Sequence, residues 1–168
     1  MRRFITADQH FGHENIIKYC NRPFDSVAEM DEAMIDNWNK IVAKDDVVYM
    51  LGDFALTRRE RIVEIGNRLH GNKKLILGNH DRANESVYRR AGFSFVSRYP
   101  ILIDKFIILS HAPLELLNEN CPFFNIHGHV HDDPAFVDMS KVSACVCVER
   151  TMYAPVDLEF LKERYHDL

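Results

Sequence analysis

The sequence predicts an α/β protein built on two sheets, and three observations lead there. The first half alternates short apolar runs with segments of helical period, as layered α/β proteins do. The second half is mostly strand-like, which favours two sheets over one doubly wound sheet. The 168 residues, 46% of them hydrophobic, suffice for a full core without disulfides, because a chain of this size buries roughly 70% of the surface it exposes when unfolded.

"RRFITA", residues 2–7, reads as a first strand running into a loop. "SVAEMDEAMIDNWNKIVA" follows with helical period: Val27, Met30, Met34, Trp38, Ile41 and Val42 fall on one stripe. Ser26 with Glu29 three residues on makes a capping box at its start. Trp38 and the methionines of that stripe are expected in the core. "DVVYMLGD" reads as a buried strand ending in Gly52-Asp53. "TRRERIVEIGNRL" reads as a helix, with Thr57 and Glu60 as a second capping box. Its Arg58, Arg59, Arg61 and Arg68, interleaved with Glu60 and Glu64, suit a solvated helix face.

"KKLILGNHD" is a strand entering a Gly-Asn loop, and "ESVYRRA" a short helix. "FSFVS", "ILID", "FIILSH", "FFNIHGHVH" and "KVSACVCVE" read as successive strands. "DLEFLKERYH" closes the chain as a helix with Asp157 at its N-cap. No repeat, linker or low-complexity tract interrupts the pattern, so one domain over residues 1–168 is expected.

The net charge of −4 and pI near 6.1 argue against a protein that grips long duplex nucleic acid through a basic face. A small charged ligand remains compatible. Cys20, Cys121, Cys145 and Cys147 form no C-x-x-C pair and read as free thiols, with Cys145 and Cys147 pointing the same way from a strand. No run is long enough for a signal peptide core or a membrane span, so a cytoplasmic protein with reduced thiols is expected.

Five predicted strands end in polar clusters: Asp8-Gln9-His10, Gly52-Asp53, Gly78-Asn79-His80-Asp81, Ser110-His111 and Gly128-His129-Val130-His131. Ligands of layered α/β proteins gather at the carboxyl ends of strands. Carboxylates mixed with imidazoles suit Mn, Fe, Co, Ni or Zn, whereas magnesium and calcium prefer all-oxygen shells. Gly52, Gly78 and Gly128 each precede a polar residue, where the chain must turn sharply or admit a close neighbour.

The order Asp-x-His, Gly-Asp, Gly-Asn-His-Asp, His, Gly-His-x-His, spread from residue 8 to residue 131, resembles the calcineurin-like metallophosphoesterase superfamily, in a small bacterial or phage-borne form. The resemblance implies a four-layer α/β/β/α sandwich with two mixed sheets. It implies two divalent transition-metal ions, manganese foremost among Mn, Fe, Ni, Co and Zn. One ion would be held by Asp8, His10, Asp53 and His131, the other by Asp53, Asn79, His111 and His129, with Asp53 bridging. His80 would face the leaving group, oriented by Asp81. His127 has no ligand place in this pattern and is expected to pack or to support a ligand. The metallo-β-lactamase pattern H-x-H-x-D-H is not met, since Pro134 and not a histidine comes directly after Asp132 and Asp133.

The implied activity is metal-dependent hydrolysis of a phosphate ester. Protein Ser/Thr phosphatases of the superfamily carry Gly-Asp-x-x-Asp-Arg-Gly, and here Gly52-Asp53 runs into "FALTRR" instead. The family's arginine position after "GNHD" is Ala83. With little positive charge for a dianion, phosphodiesters (small diesters, cyclic nucleotides or oligonucleotide ends) are expected over monoesters. A phosphomonoesterase, or a metal-holding interaction module, is the alternative. His13, Asn15, Arg22 and Arg82 lie close in sequence to the expected ligands and are candidates for the substrate pocket. Equally, His13 and Asn15 suit capping of the "ENIIKYC" helix and Arg22 a surface position.

Overall fold

Arg3–Thr6 (β1), Val47–Met50 (β2), Asn72–Ile76 (β3) and Phe93–Ser97 (β4) pair in parallel, and the two-residue Val156–Asp157 (β9) runs antiparallel to β1. This sheet has the order β4-β3-β2-β1-β9. Ile101–Ile103 (β5), Ile107–Leu109 (β6), Phe124–His127 (β7) and Ser143–Cys145 (β8) form a second sheet in chain order, with β5 antiparallel and the others parallel. The helices are Glu14–Tyr19 (α1), Val27–Ile41 (α2), Arg59–Arg68 (α3), Glu85–Arg90 (α4) and Leu158–His166 (α5). The computed structural model describes residues 1–114, 122–136 and 142–166. The fold is thus an α/β sandwich with two mixed sheets, as the sequence predicts.

The alternation of strand side chains separates two cores. Phe4, Val48, Met50, Leu75 and Phe93 meet Met30, Met34 and Trp38 of α2, Ile62 and Ile65 of α3, and Val87 and Tyr88 of α4. Their strand neighbours Ile5, Val47, Tyr49 and Ile76 face the other way, onto Ile107, Leu109 and Ile126 of the second sheet and Leu158 and Leu161 of α5. A parallel sheet covered on both faces must be apolar on both, which is why β1 and β2 read as continuous apolar runs rather than alternating ones. Truncating a fully buried side chain such as Met34, 2% exposed, to alanine costs about 2–5 kcal/mol.

Helix ends follow the sequence only in part. Ser26 Oγ accepts the Glu29 N–H at 3.2 Å, while the Glu29 carboxylate takes the N–H of Asp25 rather than that of Ser26. Asp157 Oδ1 accepts the Glu159 N–H. The second capping box does not form: α3 begins at Arg59, its N-cap is Arg58, and no side chain caps it. Thr57 instead stands against Gly12, where a Cβ would meet the Thr57 Cβ at 2.6 Å. The arginines of α3 behave as a paired face, with Arg61 bound to Glu64 and Asp31, and Arg68 to Glu32. Among the described residues, no helix is long and apolar enough to cross a membrane.

Candidate metal centre

Because β1, β2 and β3 run parallel, as do β6 and β7, the five polar strand ends share one rim. Backbone hydrogen bonds stitch them together. Asp8 N–H donates to Gly52 O, His10 N–H to Asp53 O, and Gly128 N–H to His111 O, all at 2.8–3.0 Å. Ala7 and Val148 bond across the two sheets at 3.1 Å, closing the second sheet onto the first. Asp8, His10, Asp53, His129 and His131 all sit at positive φ, between 47° and 72°. Non-glycine residues rarely adopt this conformation, which costs roughly 1–2 kcal/mol each, and it persists where surrounding structure enforces it.

Two glycines are required by contact rather than by turn geometry alone. Gly52, at φ 93°, would bring a Cβ within 2.6 Å of His111 Nδ1. At Gly128 a Cβ would collide with Asp8 Oδ2.

The side chains meet in two groups that share the carboxylates of Asp53 and Asp8. In the first, His10 Nε2 lies 3.4 Å from Asp53 Oδ2 and 3.9 Å from Asp8 Oδ1, and His131 Nε2 lies 3.8 Å from Asp8 Oδ1. In the second, His111 Nε2 lies 3.6 Å from the same Asp53 Oδ2, 2.9 Å from Asn79 Oδ1 and 3.1 Å from His129 Nδ1. The other oxygen, Asp53 Oδ1, is taken by the His80 N–H at 2.8 Å. Donors about 2.0–2.2 Å from one ion stand roughly 3.0–4.2 Å apart, depending on the angle. Asp8, His10 and His131, and separately Asp8, Asp53 and His111, are close enough for a common ion.

The chemistry of these atoms fits a cation. His111 must donate Nδ1–H to Leu51 O at 2.8 Å, and burial lowers its pKa. The neutral ring therefore turns a lone pair from Nε2 onto the oxygens of Asn79 and Asp53. His10 Nε2 and Asp8 Oδ1 are buried without any hydrogen-bond partner. Burial holds His10 down to about 2, so its ring is neutral, and pushes Asp8 up to about 8. Burial opposes a charge on His131 too, but Cys20, Glu149 and Asp8 outweigh it and raise the ring to about 10. A proton there is the charge adopted when no cation neutralises Asp8. The first group is nearly closed, with Asp8, His10 and Asp53 at most 2% exposed. Asn79 and His129 of the second are exposed.

The remaining expected residues divide. His80 is half-buried, and its ring lies 5.3 Å from that of His10. Asp81 does not orient it: the buried carboxylate accepts from Gly78 N–H, Phe54 N–H and the Tyr88 hydroxyl, and no hydrogen bond joins it to the His80 ring. Asp81 holds the loop backbone instead. His13 occupies the N-cap position of α1 without a capping side-chain bond, and its ring lies among the histidines, with Nδ1 3.4 Å from His10 Nδ1. Asn15 is exposed on α1 and Arg82 is exposed beyond the loop. Arg82 N–H bonds His80 O at 2.9 Å, but neither side chain has a described bond into the centre.

Arg22 is neither a pocket residue nor a surface residue. It is 4% exposed, donates to the carbonyls of Asp8 and Gln9 at 2.8 and 2.7 Å, and pairs with Glu149. His127 is buried and bonds Gly128 O, as a packing histidine. Of the thiols, Cys20, Cys145 and Cys147 are free, and Cys121 lies outside the described residues. Cys145 and Cys147 do point the same way, Sγ to Sγ 3.3 Å, and Cys147 donates to Asp8 Oδ2 at 3.2 Å.

Glu149 escaped the sequence reading. Its Oε1 accepts from His131 Nδ1 at 3.0 Å and from Arg22 Nη2 at 2.7 Å. Burial opposes its charge, but His131 and Arg22 hold its carboxyl below the usual range. This bond fixes the His131 ring so that Nε2 faces Asp8. Only its partners in space reveal the role, since nothing near "CVER" marks it. A cleft of about 600 Å³ opens beside the centre, lined by Tyr19, Cys20, His129, His131, Asp132 and Phe136 among others.

No family model matches the chain. By fold, it resembles a protein of unknown function, AQ665, from Aquifex aeolicus, with TM-score 0.75 and 24% identity over 96% of this chain and 98% of that one. It also resembles the Pseudomonas putida nuclease MPE, with TM-score 0.52 and 22% identity, covering 77% of this chain and 62% of the nuclease. The uncharacterized protein MJ1445 of Methanocaldococcus jannaschii is 36% identical over 166 residues, spanning 94% of this chain and 88% of that protein, and the chain belongs to its family.

Proposed function

We propose that the chain is a calcineurin-like metallophosphoesterase that hydrolyses phosphodiesters in preference to monoesters. One observation carries the reading: Asp8 Oδ1 and His10 Nε2 are buried without a partner, on the rim where His111 Nε2 turns its lone pair onto the oxygens of Asn79 and Asp53. A buried carboxylate oxygen and a buried ring nitrogen left without partners ask for a cation. Asp8, His10, Asp53 and His131 would hold one ion, and Asp53, Asn79, His111 and His129 the other, with manganese foremost among Mn, Fe, Ni, Co and Zn. When bound, two such ions would acidify water and neutralise charge on the phosphate oxygens.

The chain's own residues supply the rest. Asp53 Oδ1, through the His80 N–H, fixes the backbone that carries the His80 ring on the open side of the centre. The ring nitrogen of His80 would give its proton to the leaving oxygen. His13, 6.3 Å from His80 between ring centroids, lines the same side. The fold of the P. putida nuclease supports a phosphodiester substrate class, at the level of fold. Charge supports it further. A monoester is close to a dianion at neutral pH, Arg22 is spent on Glu149, and Arg82 is exposed with no described side-chain bond into the centre. Asp132 at the cleft adds negative charge. The reading includes one domain over residues 1–168, a small phosphoester as partner rather than long duplex nucleic acid or a membrane, and a cytoplasmic setting.

The test is kcat/KM for bis-nitrophenyl phosphate against nitrophenyl phosphate with Mn²⁺, at one pH. The diester should be favoured. A monoester preference of about tenfold, some 1.4 kcal/mol in transition-state binding, overturns the diester assignment, and no turnover of either ester with any of the five metals overturns the enzyme.

A further inference from the structure

We propose that Cys20, His131 and Glu149 form a second site for a thiophilic divalent cation, of the Zn²⁺ or Cd²⁺ class, which shares His131 with the metal centre on its cleft side. A thiol, an imidazole nitrogen and a carboxylate oxygen lie here within 4.8 Å of one another. Cys20, at the C-cap of α1, is free and half-buried, and its thiol lies within 4.8 Å of a His131 ring nitrogen. A second observation points to a ligand. Glu149 Oε1 carries the bonds of both Arg22 and His131, while Glu149 Oε2 is buried without a partner in a side chain only 4% exposed.

Thiolate, imidazole and carboxylate together form a tetrahedral donor set with one open position, and sulfur selects Zn²⁺ or Cd²⁺ over Mn²⁺ or Mg²⁺. Around a tetrahedral ion, sulfur and nitrogen stand roughly 3.5 Å apart, so donors already within 4.8 Å of one another need close by no more than about 1.3 Å, which a turn of the half-buried Cys20 side chain can supply. The cleft of about 600 Å³, lined by both Cys20 and His131, gives the ion an entry and its open position a solvent face. On binding, the Cys20 thiol proton and the His131 Nδ1 proton both leave to water, and the freed Sγ and Nδ1 lone pairs go to the cation. His131 Nδ1 must leave Glu149 to join, so an ion here competes with one held through His131 Nε2. Only this competition rests on the function proposed above.

The test is titration of the EDTA-stripped full chain with CdCl₂, followed by sulfur-to-cadmium charge-transfer absorption in the ultraviolet. The carboxylates and imidazoles of the metal centre give no such band, and Cys147→Ser, which removes the thiol beside Asp8, should leave the band in place. The wild type should show it, Cys20→Ser should lose it, and Cys145→Ser and Cys121→Ser should keep it. Circular dichroism of Cys20→Ser guards against a loss through misfolding. No band in the wild type overturns the site. So does a band that survives Cys20→Ser, or one that is lost with Cys145→Ser.

Discussion

Replacing Glu149 probes the part of the centre that lies farthest from any motif. Its carboxylate is the counter-charge of a guanidinium with no exposed side-chain surface, and it also holds His131 Nδ1. Glu149→Ala leaves Arg22 charged and unpaired in the interior, which costs about 3–5 kcal/mol. Against a total stability of about 5–15 kcal/mol, and at about 2–4 °C per kcal/mol for a chain of this size, Tm should fall by roughly 6–20 °C. Glu149→Gln keeps the shape and an acceptor but removes the charge that steadies His131. Its Mn²⁺ affinity should fall about 10–100-fold, the usual effect of removing a ligand's supporting partner. The double variant Arg22→Leu/Glu149→Leu separates the two roles. It removes both charges and should regain part of the stability, though not all, because the carbonyls of Asp8 and Gln9 lose their donor. It should not regain metal affinity. Calorimetric Mn²⁺ titration and thermal melts read both quantities. Wild-type Mn²⁺ affinity in Glu149→Gln would refute the supporting role.

Other outcomes follow from the same geometry. His80→Ala should keep the metals and the fold while kcat falls about 10²–10⁴-fold. The loss should shrink for good leaving groups such as nitrophenol, and an equal loss for good and poor leaving groups would remove the proton-donor role. Asp81→Ala strips the acceptor from two backbone N–H groups and Tyr88. It should destabilise by about 1–3 kcal/mol for each buried donor left unmatched, and a melt within a degree of wild type would contradict the loop-holding role. Metal affinity should weaken as pH falls between about 8 and 6, because protons on Asp8, pushed up to about 8, and His131, raised to about 10, must leave for the cation. The slope is about tenfold per pH unit for each proton displaced, and a flat profile would show that neither group is a ligand.

Much of the centre was legible because its residues sit in short local motifs at strand ends. Asp8 with His10, Gly52-Asp53 and Gly128 to His131 each announce themselves within a few positions, and the parallel strands then bring them to one rim. Residues that act through distant partners left no such trace. Glu149 meets Arg22 across 127 positions and His131 across 18, and neither separation has a period to detect. Arg22 read as pocket or surface because a lone arginine in a loop says nothing about a buried partner. Asp81 stands beside His80 in sequence, yet its carboxylate turns inward to the N–H groups of Gly78 and Phe54. The Thr57 capping box met the pattern and failed because Thr57 packs on Gly12. Strand β9 is only two residues long, directly after Pro155, too short to show alternation.

The central proposal is that Asp53, whose Oδ2 lies 3.4 Å from His10 Nε2 and 3.6 Å from His111 Nε2, would serve two ions at once. Elemental analysis of Mn²⁺-loaded wild type and Asp53→Ala, beside His10→Ala and His129→Ala as variants of one group each, tests it most directly. The account predicts two ions per wild-type chain, and fewer in Asp53→Ala than in either single-group variant. Two ions per chain retained by Asp53→Ala would contradict it.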